Sequence, residues 1–315
     1  MFNIQTQITL ASAQAETILQ AWLDRPVTCT EIVPLQGGMI NTVLRLAFDQ
    51  PPYTAVIKLN TPGASGPYAL DKEAAILRYL RDNTHFPCPQ VYAQDSTGRR
   101  LPFAYLLLES LPGDSLSRAM EAGLVKPPDV ADLDRQLARL LLELHSHTRS
   151  TFGKLDEPGV PRWADVFVPR LHEVRAQPEI SQRLSPAVLA DVDYAIARAA
   201  DVLADQGVPT LVHADIWAGN LIVQQNGAGW QITGIVDPGA EYADVELELA
   251  YLESFNNSRP AFMQVYTRQH PLRPGYKVRR MIYWLLTYLI HVWLFGAQQY
   301  LDMTAKLAAE LRQKI

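Results

Sequence analysis

One run of residues near the middle of the chain, with an aspartate downstream of it, carries the side chains that phosphoryl transfer requires. The run spans His213 to Asn220 and reads HADIWAGN, and Asp237 follows it. Phosphoryl transfer needs a carboxylate that orients the attacking hydroxyl and accepts its proton. It also needs hard oxygen ligands that hold magnesium on the nucleotide phosphates. The spacing predicts Asp215 as the catalytic base and Asn220 with Asp237 as metal ligands.

A β-hairpin is the element that must position these residues. Two strands are predicted at Leu221–Gln225 and Trp230–Val236, joined by a turn of sequence NGAG. The alternative is a helix-capping aspartate and a turn-forming asparagine around an ordinary hairpin. We favour the chemical interpretation because three positions agree. We expect His213 to brace the loop through hydrogen bonds rather than to take part in the proton transfer.

The first third of the chain is predicted to form an antiparallel meander followed by a helix. Segments rich in β-branched and aromatic residues are separated by glycine and proline, which is typical of strands and turns. Apolar residues then recur at the helical period after a loop that contains Pro62 and Gly66. The predicted strands are Thr28–Pro34, Thr42–Phe48, Tyr53–Leu59, Gln90–Gln94 and Ala104–Glu109, and the predicted helix is Tyr68–Arg81.

Two features of this region are candidates for binding nucleotide phosphates. Gly37 and Gly38 lie between two strands, where small residues let backbone N–H groups approach a phosphate, although two glycines also make a plain hairpin turn. Lys58 ends an alternating apolar strand, as the nucleotide-binding lysine of kinases does. Glu73 on the following helix is its predicted ion-pair partner. The alternative for Glu73 is a solvated helix face.

The segment Leu106–Leu111 is predicted to bind adenine as a hinge. Backbone groups near Glu109 and Leu111 can hydrogen-bond the base between apolar walls, and an edge strand is the alternative. Beyond it, helical patterns dominate over Val130–His147, over Pro186–Gln206 and from Tyr276 to the end. We therefore predict an α+β fold with an antiparallel-sheet N-terminal lobe (1–109), a hinge (110–113) and a mainly helical C-terminal lobe (114–315).

Composition excludes several other classes of protein. The net charge is −5 and no stripe of basic residues interleaves with aromatics, so nucleic acid is not an expected partner. Cys29 and Cys88 lack the spacing of a metal site or a disulfide framework, and we expect a reducing, cytoplasmic location. The stretch Met281–Ala297 has no charged residue. We interpret it as a buried core helix because it is short for a membrane span and contains His291.

Motifs in both halves of the chain resemble the fructosamine kinase branch of the aminoglycoside phosphotransferase superfamily. The run at His213 is similar to the catalytic loop of that branch, in which a tryptophan follows the aspartate by two positions, as Trp217 does. Position 214 holds alanine where that branch usually has glycine. The segment before Trp163 is shorter than in that branch. The other matching segments are Gly37–Asn41, Lys58–Asn60, Asp237–Pro238, Glu246–Ala250 and Leu289–Gly296.

The resemblance implies a protein-kinase-like bilobal fold and an ATP- and Mg²⁺-dependent kinase acting on a hydroxyl of a small molecule. The expected acceptor is a ketosamine such as a fructosamine or ribulosamine. Trp217 is expected to stack on the sugar, or else to pack against C-terminal helices. Some of the acidic residues Glu241, Asp244, Glu246 and Glu248 are candidates to attract a cationic amine, although capping and solvated positions are the alternative for most of them.

Three alternatives to a ketosamine kinase remain open at this point. The first is a kinase of the same fold that acts on an aminoglycoside, a choline-like compound or another hydroxylated molecule. The second is a nucleotide-binding pseudokinase that serves as an interaction module, which we disfavour because each expected catalytic position holds a functional residue. The third is a protein anchored in a membrane through the stretch at Met281.

Overall fold

The computed structural model describes residues 8–35, 41–63, 69–255 and 259–315. The helices are α1 (Ser12–Leu23), α2 (Leu70–Asn83), α3 (Leu116–Glu121), α4 (Pro127–Leu144), α5 (Trp163–Arg175), α6 (Pro178–Arg183), α7 (Pro186–Val202), α8 (Glu246–Ser254), α9 (Pro260–Tyr266), α10 (Tyr276–Leu294) and α11 (Gln298–Lys314). The strands are β1 (Cys29–Pro34), β2 (Thr42–Phe48), β3 (Thr54–Asn60), β4 (Val91–Asp95), β5 (Ala104–Glu109), β6 (Asp114–Ser115), β7 (Gly153–Lys154), β8 (Thr210–Val212), β9 (Leu221–Asn226), β10 (Gly229–Ile235) and β11 (Glu241–Ala243).

Contacts divide the chain into two compact units. The first comprises residues 1–129 together with 218–239, and the second comprises 130–217 together with 240–315. The first unit includes the hairpin β9–β10, because β6 pairs with β9 to form a small three-stranded sheet. The division of the chain into lobes at residues 110–113 stays a prediction.

The main sheet of the first unit has the strand order β1-β2-β3-β5-β4, and every neighbouring pair is antiparallel. This confirms the predicted meander of the first three strands. The central strands β3 and β5 are buried along most of their length, which explains why their sequences are almost continuously apolar. Helix α2 buries Leu70, Ala74, Leu77 and Leu80, which recur at roughly the helical period.

The second unit is built mainly from helices around one apolar core. Helix α10 contributes Met281, Leu285 and Leu289 to that core, where they pack with residues of α5, α7 and α11. This burial confirms the interpretation of the uncharged stretch as a core helix. Among the residues that the structure describes, no helix is long and apolar enough to cross a membrane.

The C-terminal stretch forms two helices rather than one continuous run from Tyr276. Helix α10 ends at Leu294, and Gly296 adopts a left-handed backbone conformation with φ 61°. The guanidinium of Arg183 donates hydrogen bonds to the carbonyls of Val292 and Trp293 at 2.5 and 2.6 Å. Arg183 lies far away in the sequence, so its contribution to this helix end is not visible in the local pattern.

Candidate active site

Lys58 is a buried lysine of the first unit that forms ion pairs with two carboxylates. It lies on β3 opposite Val43 of β2 and Leu106 of β5, and only 6% of the residue is exposed. Its ammonium Nζ lies 2.6 Å from Oε1 of Glu73 and forms a second ion pair with Oδ1 of Asp237. The predicted ion pair between Lys58 and Glu73 is therefore present. The role of these residues in nucleotide binding stays a prediction.

The electrostatics of this cluster keep the lysine charged. Burial acts to lower the pKa of Lys58, but the two carboxylates outweigh it and the net pKa is raised. Burial raises the pKa of Glu73, and the nearby charge of Asp237 adds to that effect against the attraction of Lys58. When both carboxylates are ionised, one lysine faces two negative charges. The excess negative charge favours a further cation at this position.

The hairpin brings Asn220 and Asp237 to the same end of two paired strands. Leu221 and Ile235 form the last pair of the ladder, and the N–H of Val236 donates to the carbonyl of Asn220 at 3.0 Å. Asn220 is 5% exposed, whereas the side chain of Asp237 is 42% exposed. The backbone of Asp237 is left-handed, with φ 58°, a conformation that often marks functional sites.

The oxygen donors of this pair fit magnesium bound to a nucleotide. Mg²⁺ usually takes one or two carboxylates from a protein and completes its shell with phosphates and water. The described ranges contain no group of three or more His, Cys, Asp or Glu residues able to hold a metal. An amide oxygen from Asn220 and a carboxylate oxygen from Asp237 match the smaller protein share that such a site needs. Their assignment as metal ligands stays a prediction.

At the predicted hinge, Glu109 and Leu111 have different surroundings. Glu109 ends β5, where its N–H donates to the carbonyl of Gln90 at 2.8 Å and its Oε2 accepts from the N–H of Gln90 at 3.0 Å. Leu111 lies beyond the strand and covers Gly234, where a Cβ would stand 2.5 Å from Cδ1 of Leu111. The N–H and side chain of Glu109 are thus engaged within the fold. Adenine binding by the hinge stays a prediction.

The loop that carries Asp215 is held by a buried carboxylate in the second unit. Oε2 of Glu248, a fully buried residue of α8, accepts hydrogen bonds from the N–H groups of His213 and Ala214 at 2.5 and 3.2 Å. The N–H of Asp215 donates to Nδ1 of His213 at 3.3 Å. This contact confirms that His213 braces the loop. Ala214 itself has a left-handed backbone, with φ 66°.

Helix α8 also holds the side chain of Asp215. The hydroxyl of Tyr251, three residues after Glu248, donates a hydrogen bond to Oδ1 of Asp215. The ring of Tyr251 lies 4.8 Å from that of Phe255. Tyr251 is not among the site residues predicted from the sequence. Its spacing of three from Glu248, which places both on one face of a helix, is the signal that points to it.

Four partly exposed rings contact one another in a row that starts at Tyr251, and we call them the aromatic set: Tyr251, Phe255, His291 and Tyr300. The centroid of His291 lies 5.6 Å from that of Phe255 and 4.4 Å from that of Tyr300. Burial lowers the pKa of His291, so its ring is neutral at pH 7. The set therefore offers aromatic surface without a positive charge from His291, and its Tyr251 contacts the proposed base.

The acidic residues downstream of Asp237 do not form a cation-attracting surface. Each is nearly or fully buried, and neither solvation nor amine attraction describes them. The guanidinium of Arg170 binds both carboxylate oxygens of Glu241 at 2.5–2.6 Å. Arg273 pairs with Asp244, and Arg279 pairs with Glu246. The suggestion that some of these carboxylates attract a cationic amine is wrong, because arginines distant in sequence neutralise three of them and Glu248 holds the loop.

Three further predicted positions are Gly37, Gly38 and Trp217. Gly37 and Gly38 lie outside the described residues. Trp217 is partly exposed. Stacking on an acceptor and packing against the C-terminal helices both stay predictions for Trp217. Trp163, by contrast, is fully buried between Phe152 and Phe167.

Comparison with known proteins gives a consistent result. The fructosamine kinase family model matches residues 11–314. A probable ketoamine kinase of Synechocystis is 33% identical over 152 residues, which cover 47% of this chain and 49% of that protein. The chain therefore spans about half the length of this relative. A probable ketoamine kinase of Enterococcus faecium is 26% identical over 270 residues, covering 84% of this chain and 90% of that protein.

Solved structures show the same fold. A crystal structure from Haemophilus somnus that carries the name fructosamine-3-kinase has a TM-score of 0.72 at 20% identity, covering 94% of this chain and 96% of that one. A ternary complex of an aminoglycoside phosphotransferase with streptomycin and ATP has a TM-score of 0.61 at 16% identity, covering 97% of both chains.

The solved structures define the fold of this chain as protein-kinase-like. More narrowly, the chain belongs to the fructosamine kinase family, whose model covers nearly its entire length.

Proposed function

We propose that the chain transfers the terminal phosphoryl group of ATP, bound with Mg²⁺, to a hydroxyl of a ketosamine. The observation that carries the proposal is the placement of Lys58 between Glu73 and Asp237, with Asn220 at the same end of the hairpin as Asp237. This is the set of groups that a nucleotide-binding phosphotransferase needs.

Each predicted site residue of the first unit is assigned a role in nucleotide binding. Lys58 contacts the phosphates, while Glu73 holds the lysine in place. Asn220 and Asp237 supply oxygen ligands for Mg²⁺, which neutralises charge that develops on the phosphates. Phosphate binding is the role assigned to Gly37 and Gly38, and adenine binding is the role assigned to the chain near Glu109 and Leu111. Positioning and electrostatics supply the rate.

In the second unit, Asp215 orients the acceptor hydroxyl and takes up its proton. The carboxylate is held by the hydroxyl of Tyr251, and its loop is held by Glu248. These contacts restrict the base to one geometry before the acceptor arrives, which is how an enzyme lowers the cost of reaching the transition state.

Relatives named as ketoamine kinases support a ketosamine as the acceptor. The aromatic set beside Asp215 adds a physical reason. Sugar rings stack on aromatic faces, and such faces attract a cationic amine. Partly exposed Trp217, two residues after the base, supplies a further ring. In this proposal the aromatic rings bind the amine, because the buried carboxylates cannot reach it.

The test is a comparison of acceptors at saturating ATP-Mg. A ketosamine such as 1-amino-1-deoxyfructose, the parent sugar without the amine, and an aminoglycoside are supplied separately, and kcat/KM is measured for each. We expect the ketosamine to be preferred at least about 10-fold, the smallest ratio that one well-placed contact gives. Preference for the amine-free sugar contradicts recognition of the amine. Preference for the aminoglycoside contradicts the ketosamine as acceptor and indicates an aminoglycoside kinase instead.

A further inference from the structure

Helix α8 contacts the loop of the proposed base at two points of different kinds. Glu248 accepts hydrogen bonds from backbone N–H groups of the loop, whereas Tyr251 reaches the side chain of Asp215 itself. The first contact fixes the course of the chain. The second fixes the rotation of the carboxylate that is to receive the proton.

The surroundings of Tyr251 keep its hydroxyl in the role of hydrogen-bond donor. Burial raises the pKa of the phenol, and the carboxylate of Asp215 raises it further. Glu248 and Tyr300 are the other titratable groups that act on it, and both act in the same direction. The ring of Tyr251 packs against the ring of Phe255, with 4.8 Å between the two centroids. The hydroxyl is thus protonated at neutral pH and restricted to a small range of positions.

We propose that Tyr251 is a positioning residue for phosphoryl transfer, which acts through its hydrogen bond to Oδ1 of Asp215. The inference rests on the proposed function, because it takes Asp215 as the base. A carboxylate on a single-bonded stem rotates between orientations unless a donor fixes it. Displacing a reacting group by 1 Å costs up to about 100-fold in rate, so a contact that prevents rotation matters for turnover.

Tyr251→Phe tests the inference, because it keeps the ring and its contact with Phe255 but removes the hydroxyl. With 1-amino-1-deoxyfructose and ATP-Mg, we expect kcat to fall about 10-fold while the Kd of the nucleotide stays within about 2-fold. Tyr276→Phe is the matched control. It removes a tyrosine hydroxyl that donates a hydrogen bond at 2.7 Å to Oε1 of Glu253, which lies on α8 as Tyr251 does. That variant should change kcat by less than about 2-fold.

A double-mutant cycle separates positioning from a general loss of structure. If Tyr251 acts through Asp215, adding Tyr251→Phe to Asp215→Ala should change the residual transfer rate by less than about 2-fold. An equal loss in both backgrounds, or unchanged kcat of the single variant, overturns the inference.

A second readout does not depend on the acceptor. In protein labelled with ¹³C-tyrosine, the hydroxyl proton of Tyr251 should be protected from exchange in NMR spectra, and it should shift in Asp215→Ala but not in Tyr276→Phe. If the wild-type protein phosphorylates none of the acceptors, the proposed function fails while this spectrum still decides the contact. The signal is assigned to Tyr251 by its loss in Tyr251→Phe. If the wild-type spectrum shows no such protected proton, the inference is overturned without any activity measurement.

Discussion

At the scale of single residues, two backbone positions beside the proposed chemistry adopt the left-handed conformation that favours glycine. Ala214 and Asp237 have φ values of 66° and 58°. A left-handed residue with a Cβ costs about 1–2 kcal/mol. At Ala214 the hydrogen bond from its N–H to Glu248 helps to offset that cost. The left-handed backbone at position 214 explains why the fructosamine kinase branch usually has glycine there.

Ala214→Gly should therefore stabilise the fold slightly. Relief of about 1–2 kcal/mol of strain is partly offset by about 0.4–1 kcal/mol of added entropy in the unfolded chain. We expect the free energy of unfolding, measured in urea, to rise by up to about 1.6 kcal/mol. Ala218→Gly is the control, since the backbone of Ala218 is not left-handed. Destabilisation by both variants to the same extent would show that position 214 is unstrained.

Asp237→Ala should separate binding of the metal from binding of the nucleotide. We expect calorimetry to show affinity for ATP-Mg reduced by at least about 10-fold, because a metal ligand is lost. Affinity for ATP without magnesium should be unchanged or higher, because one negative charge near the phosphates is removed. Asp114→Ala removes an exposed carboxylate of the same unit and should change neither value. Unchanged ATP-Mg affinity in Asp237→Ala would remove Asp237 from the metal site.

At the scale of elements, helix α8 does more than fill the core. Its residues 248 and 251 lie on one face and hold both the backbone and the side chain of the loop before it. Because the helix is itself anchored by the pairing of Glu246 with Arg279, the position of the proposed base depends on α10 as well. Residues far from the chemistry can thus affect its rate.

Substitution of Glu248 should distinguish its hydrogen bonds from its charge. Glu248→Ala leaves two backbone N–H groups without their acceptor, at a cost of about 1–3 kcal/mol each when they are buried. Glu248→Gln keeps an acceptor oxygen at the same place and should be much less destabilising. Chemical unfolding of the two variants measures the difference. Equal destabilisation would mean that charge, not hydrogen bonding, holds the loop.

The same residue predicts an acid dependence of stability. Burial acts to raise the pKa of Glu248, but the neighbouring His145 and His213 and the N–H of Ala214 lower it on balance. A lowered folded pKa gives stability that is present above the unfolded value of about 4.3 and is lost as pH falls through the folded value. Between pH 5 and 3, Glu248→Gln should therefore lose stability less steeply than the wild type, by up to about 1.4 kcal/mol per pH unit. Parallel curves would contradict this.

Local patterns predict the elements well where burial and period agree. The bounds of β2 and β5 match their predictions residue for residue, because both strands are apolar runs between turn residues. The break after α10 and the burial of Glu241, Asp244 and Glu246 could not be predicted in this way. Each depends on an arginine from another part of the chain, and a local pattern carries no information about that partner.

At the scale of the whole molecule, the candidate site depends on contacts between distant segments. The pairing of Lys58 with Glu73 was predictable, because a strand and the next helix carry the two residues. The contact of Lys58 with Asp237 spans 179 positions, and that of Asp215 with Tyr251 spans 36. Such contacts follow from the fold rather than from motif spacing. Neither of these two contacts was predicted from the sequence, and both required the structure.

The most direct test of the account is the effect of Asp215→Asn on transfer of labelled phosphate from ATP-Mg to 1-amino-1-deoxyfructose. A general base acts in the transition state and not in nucleotide binding, so we expect turnover to fall on the order of 10² to 10⁴. The affinity for ATP-Mg and the thermal stabilisation that saturating nucleotide gives should both be retained. Asp114→Asn, which changes an exposed aspartate, should transfer at the wild-type rate. Near-normal turnover of Asp215→Asn would contradict the assignment of the base and the mechanism built on it.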